Sequence, residues 1–217
     1  MSPRERKMPK TMSGHDRSQL GFVQAVEASF GFLAREFGFR LVDMQPTFVR
    51  YESERTFVNV FHGRGSYELG VEIGRWIELD GALVEEKFAL GDVIALDHDL
   101  SAVGYRSYAT SGKEPLVRFV AQLADWTQRF GSRVLEGDPA TFDSLRAQGA
   151  RLSQAMLEGW RAERLRAAAD SAWRRKDWGR VIDAYGEIEA ELGSIELKRS
   201  ERARLSYAQK RINDDHR

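Results

Sequence analysis

The chain has 217 residues, of which 42% are hydrophobic and 30% charged, a balance that supports a packed core and lies far from disordered compositions. Lys plus Arg equal Asp plus Glu at 33 each, so no net charge draws the molecule to nucleic acid or to an anionic membrane. The absence of cysteine excludes disulfides, thiolate nucleophiles and Cys-ligated zinc, and fits a reducing, cytoplasmic compartment.

No apolar run approaches the 18 residues of a membrane-spanning helix. Residues 1–17, MSPRERKMPKTMSGHDR, carry Arg4, Arg6, Lys7, Lys10 and Arg17 against Glu5 and Asp16. No apolar stretch follows them as in a signal peptide, so a flexible basic arm is expected. The first regular element runs from Ser18 to Phe37. Phe22, Val26, Phe30, Leu33 and Phe37 step by four, four, three and four, which is one face of a helix. Ser18 is placed to cap its start and Gly38 to end it.

From Phe39 to Trp76 the period changes to two. FRLVDM, TFVRYES, RTFVNVFH and SYELGVEIGRW are four strand candidates, and Pro46 makes the first an edge or a lead-in. Two-residue turns at Ser53-Glu54 and Arg64-Gly65 would set Tyr51 opposite Thr56, Val49 opposite Val58, His62 opposite Tyr67, and Val60 opposite Leu69. Val49, Tyr51, Val58, Val60, Leu69, Val71 and Ile73 then share one apolar face. The GRGS stretch, residues 63–66, is not a phosphate loop. A strand follows it instead of a helix N-terminus, and the Lys-Ser/Thr ending of a P-loop is missing.

Residues 77–112 read as mixed, with a short helix in EEKFALGDVIALD and a loop over SAVGYRSYATSG. Pro115 opens a strong helix carrying Leu116, Phe119, Val120, Leu123, Trp126 and Phe130. Gly137-Asp138-Pro139 marks the next start, with Asp138 as N-cap. Phe142, Leu145, Leu152, Met156 and Trp160 continue from it, and Gly149 and Gly159 are positions where it can bend or break. The expectation is an α+β fold: an N-terminal helix packed on an antiparallel meander of three or four strands within residues 18–135, then a mostly helical region over 138–217.

RLRAAADSAWRRKDWGRVIDAYGEIEAEL resembles a tetratricopeptide repeat. Ala169 matches the small position of the first helix, Trp178 the aromatic that opens the second, and Tyr185 the next aromatic. Ala172, Val181, Ile188, Lys176 and Gly193 depart from the family pattern. The resemblance implies a helical hairpin with a protein-interaction role. It covers one repeat, and such arrays bury a continuous core only with several. The 47–76 stretch resembles uncharacterised bacterial proteins, which implies no activity.

The opposite sheet face carries Phe48, Arg50, Glu52, Phe57, Asn59, Phe61, Glu68, Glu72 and Trp76, with Phe61 opposite Glu68, Phe57 between Arg50 and Glu72, and Gly70 leaving room for an approaching group. Aromatic and Arg anchors within a polar surround match the composition of interface cores. Arg50, Phe57, Phe61, Glu68 and Glu72 are therefore the candidate partner-binding residues. Helices covering that face, with its charges paired at the rim, are the other outcome.

Glu68 and Glu72 lie about 13 Å apart along one strand, too far for a shared-proton dyad. His62, Arg64 and Tyr67 at the hairpin end are the alternative candidates, for a small ligand or a catalytic base. Asp97-His98-Asp99 has ligand chemistry, but consecutive side chains diverge. No metal site, cofactor motif or catalytic residue is expected, and Arg174-Arg175-Lys176 reads as the charged last turn of a helix. The functional expectation is a non-enzymatic, adaptor- or immunity-like protein that docks a protein partner.

Overall fold

The computed structural model describes residues 17–192 and 197–215. The predicted basic arm, apart from Arg17, lies outside them, as does Gly193. The chain forms two compact units that divide between Leu145 and Arg146.

In the first unit a 3-10 turn, Arg17–Leu20, leads into α1 (Phe22–Phe30) and α2 (Phe32–Phe37). The predicted stripe holds: Phe22, Val26, Phe30 and Leu33 are buried, and Phe37 packs at their edge. The helix differs from expectation in starting behind Gly21, not Ser18, and in being divided at Gly31.

Five strands follow as a meander: β1 (Arg40–Gln45), β2 (Phe48–Glu52), β3 (Thr56–His62), β4 (Glu68–Leu79) and β5 (Ala82–Ala89). A short β6 (Tyr108–Ala109) pairs with the start of β4. All pairings are antiparallel. The strand β5 corrects the expectation for residues 77–112, because only Leu90–Ala95 of that helical candidate is a helix, α3. The β4–β5 turn is Asp80-Gly81, both at positive φ, 52° and 78°. That backbone matches the twist of the two strands and is reached cheaply only by residues such as Asp and Gly.

Both predicted registers are corrected by two residues. Tyr51 faces Val58 and Val49 faces Val60; Val60 faces Val71 and His62 faces Leu69. Ser53 and Thr56 close the first turn, Ser53 N–H donating to Thr56 O at 2.8 Å, so its tip is Glu54-Arg55. Ser53 Oγ holds that turn by accepting from the backbone N–H of Arg55 and Thr56. The second loop spans four residues, Arg64 to Tyr67, closed by Gly63 N–H donating to Glu68 O at 2.7 Å. A shift of two residues keeps every side chain on its face, because the side-chain period is also two. The predicted apolar set is accordingly buried as a whole.

On that face pack α1, α3, α4 (Lys113–Phe130) and α5 (Ser132–Leu135), through Leu90, Ile94, Leu116, Val120, Leu123, Trp126 and Leu135. Thr56 Oγ1 donates to Leu135 O at 3.1 Å and ties α5 to β3. Next comes α6 (Pro139–Arg175), unbroken at Gly149 and Gly159. Its first turn is capped as predicted, by Asp138 accepting from Thr141 N–H and from the Thr141 hydroxyl. These bonds hold the Asp138 carboxyl below its ordinary pKa, the Thr141 hydroxyl contributing most. Phe142 and Leu145 complete the same core, which therefore reaches ten residues past the predicted end at 135.

The second unit contains the rest of α6, then α7 (Trp178–Glu191) and α8 (Arg199–Asp215). Lys176 turns the chain at φ 59°. Its N–H donates to Trp173 O, and Asp177 N–H donates to Ala172 O, the paired bonds of a Schellman stop. Asp177 then caps α7 at Arg180 N–H. Ala162, Ala169, Ala172, Val181, Ala184, Tyr185, Ile188, Leu205 and Ala208 form the core. The small residues let the backbones approach, and Trp173, Trp178 and Tyr207 close one side with ring centroids 5.2–5.5 Å apart.

Candidate functional site

The second sheet face is closed largely by its own side chains. The Arg50 guanidinium lies 4.1 Å from the Phe57 ring centroid and 5.8 Å from that of Trp76. Its Nε donates to Glu52 at 2.6 Å and its Nη1 pairs with Glu85 at 2.8 Å. Phe57 meets Trp76 edge-on at 5.2 Å and is 0% exposed. It stands between Glu52 and Gly74, which corrects its expected place between Arg50 and Glu72. Phe57 therefore supports Arg50 from below and is not itself a contact surface.

Gly70 and Gly74 explain how two aromatic rings fit on this face. A Cβ on Gly70 would lie 2.3 Å from Phe61 Cζ, and one on Gly74 would lie 2.4 Å from Phe57 Cζ and 2.5 Å from Glu86 O. Phe61 is opposite Gly70, not Glu68, so the space expected there for an approaching group is filled by Phe61 itself. Next to it runs a polar row, Arg50, Asn59 and Glu72 in register across three strands. Asn59, 3% exposed, donates to Glu72 at 3.4 Å, and its Oδ1 has no hydrogen-bond partner among the described residues. Glu72 also takes Lys87 Nζ at 3.0 Å. Glu68 is exposed at the far end of β4. The structure thus groups Arg50, Phe57 and Glu72 with Trp76, Glu52, Glu85 and Lys87, and sets Phe61 and Glu68 toward the hairpin end. Glu85 and Lys87 escaped the sequence reading because β5 did.

The alternative candidates do not form one accessible group. His62 is 1% exposed, with the rings of Phe22 and Tyr67 each 6.0 Å away. Its Nε2 lies 2.8 Å from Thr110 O; a carbonyl only accepts, so Nε2 carries the proton. It is a core histidine that ties β3 to the segment after β6. Arg64 is exposed in the loop and Tyr67 sits at its rim. The signal was present, since His62 has the parity of Val58 and Val60. Asp97, His98 and Asp99 diverge as expected. Asp97 pairs with Arg133, the His98 ring packs 4.9 Å from Phe130, and Asp99 caps the backbone of Ser101 and Ala102. Among the described residues no group of three His, Asp or Glu is placed to hold a metal ion.

One concave feature was not anticipated. A half-open cleft of about 540 Å³ lies between the 101–108 loop and α4, lined by Ser101, Val103, Gly104, Tyr105, Arg106, Tyr108, Gln122, Trp126 and Arg129. The loop alone gave only a Ser- and Gly-rich composition, and α4 supplies the other wall from residues about twenty positions later. Compared with family models, with curated proteins and with solved structures, the chain finds no match.

Proposed function

We propose that this protein is a docking protein, adaptor- or inhibitor-like, that engages a protein partner on the second face of its sheet. The observation that carries the proposal is the pre-set Arg50, a guanidinium stacked on Phe57 and Trp76 and held by Glu52 and Glu85. An arginine immobilised before binding has little rotamer freedom left to lose on association, and Arg beside aromatics is the usual make-up of an interface hot spot. Half-buried Phe48, Phe61 and Trp76 offer ring edges on the same face.

Carboxylates exceed cations there: Asp43, Glu52, Glu68, Glu72, Glu78 and Glu85 against Arg40, Arg50 and Lys87. The partner surface is accordingly basic. The second unit fits a tetratricopeptide-like hairpin as a further interaction element, supported by buried Ala169 and Tyr185 and by Trp178 opening α7.

The test is affinity capture with the full chain beside a Glu68→Lys/Glu72→Lys/Glu85→Lys variant whose circular dichroism is unchanged. Capture of a stoichiometric partner should fall at least about tenfold in the variant and weaken with added salt. Retention of the same partner by the folded variant refutes the assignment of this face.

A further inference from the structure

We propose that the outer edge of β5 is a self-association surface, on which a second copy of this chain lays its own β5 antiparallel so that two sheets become one. The edge is separate from the sheet face and does not rest on the docking proposal.

The strand path ends in two edges, β1 and β5, and they differ. The β1 register shifts between Leu41 and Asp43. An irregularity of that kind bends an edge away from further pairing. β5 keeps an unbroken register with β4 from Ala82 to Ala89 and contains neither proline nor glycine. The turn at Asp80-Gly81 makes Leu79 and Ala82 its closing pair. Hydrogen-bonded pairs alternate from there, so Val84, Glu86 and Phe88 bond toward β4 while Leu83, Glu85 and Lys87 turn their N–H and C=O outward. Among the described residues no strand takes up that edge. Leu83, near its start, is 72% exposed.

An open strand edge can take many strands, and its charges decide which it accepts. Two copies of β5 that meet about a two-fold axis perpendicular to the sheet keep their faces, so residues that bond outward face one another. An axis at Glu85 would set Glu85 against Glu85, and one at Lys87 would set Lys87 against Lys87. An axis at Glu86 sets Glu85 of each copy against Lys87 of the other. The same register places Val84 against Phe88 on one face and Leu83 against Ala89 on the other, both apolar pairs. The two Glu86 carboxylates meet at the axis, each already held by Arg75 of its own copy at 2.9 Å. Glu85 and Lys87 also keep partners within their own copy, Arg50 at 2.8 Å and Glu72 at 3.0 Å. Both side chains nevertheless stay exposed, and a carboxylate has lone pairs for more than one donor. A strand carrying charges of one sign meets a like charge at Glu85 or at Lys87, whereas a second β5 meets none there.

The test is sedimentation equilibrium of the full chain from about 1 to 100 μM, the range suited to a small interface. The wild type should show a monomer–dimer equilibrium. Glu85→Lys and Lys87→Glu, each with unchanged circular dichroism, put like charges into both pairs between copies and should each raise the dissociation constant at least about tenfold. Mixed in equal amounts, the two variants regain opposite charges in both pairs, and the dimer should return. That recovery separates a lost interface from a damaged fold. Lys87→Pro removes an N–H that points away from β4, so it should be monomeric with its sheet intact. A wild type that stays monomeric at about 100 μM overturns the proposal. So does any of the three variants dimerising as the wild type does, or a mixture of the two charge variants that stays monomeric.

Discussion

Gly70 and Gly74 sit two pleats apart on β4, and each is roofed by a phenylalanine from β3. The two sites differ in what can yield. At Gly70 the three atoms nearest a new methyl all belong to the Phe61 ring, which is half-buried and can swing aside. At Gly74 it meets both a fully buried Phe57 and the carbonyl of Glu86, which is backbone. Urea denaturation should therefore show Gly70→Ala costing about 1 kcal/mol and Gly74→Ala about 3 kcal/mol; equal losses would contradict the packing described.

Tyr51 gives a pH signature at the same scale. Burial first, and the nearby Glu27 charge second, raise its phenol to about 12 from 10.0. A folded pKa above the unfolded one gives stability that is fully present below pH 10 and lost as pH rises through 12. Alkaline unfolding followed by circular dichroism should lose part of its steepness in Tyr51→Phe, in that window and not below it.

At the scale of elements, hairpins and helix ends carry most of what was legible. The α1 and α4 stripes, the Asp138 cap and the parity of β2, β3 and β4 are all properties of neighbours within one turn or two pleats. Asp80-Gly81 was equally legible and went unused, which hid β5 and with it Glu85 and Lys87. The registers were less accessible. Ser53-Glu54 and Glu54-Arg55 are both polar dipeptides, and the choice was made by Thr56 reaching back to Ser53 and Leu135. Lys176 shows an element end that works against local preference. It holds a left-handed conformation at the stop of α6 where glycine is free of strain. Lys176→Gly should stabilise the second unit by about 1 kcal/mol, read as an upward shift of its helical unfolding midpoint; a downward shift would show that the Lys side chain outweighs the strain.

For the molecule as a whole, the α+β class and the helical C-terminal region followed from patterning, because period two and period 3.6 are written into each segment separately. Each unit closes its own core, one of large aliphatic and aromatic residues on a sheet, the other of alanines between helices. The second also encloses Glu201, whose carboxylate takes Arg166 Nε at 2.9 Å and the N–H of Lys198 at 2.8 Å. No local pattern announces a pairing across thirty-five positions.

The sequence by itself determined which side chains share a face, which runs are helical and where several of them start, since those depend on residues a few positions apart. Only the tertiary structure decided that Phe57 lies beneath Arg50, that Phe61 fills the gap at Gly70, and that Tyr105 leans on Trp126 from α4. Each of those facts depends on loop closure and on which distant surface arrives to exclude water. That contest is settled by the packing of the whole unit and not by any segment alone.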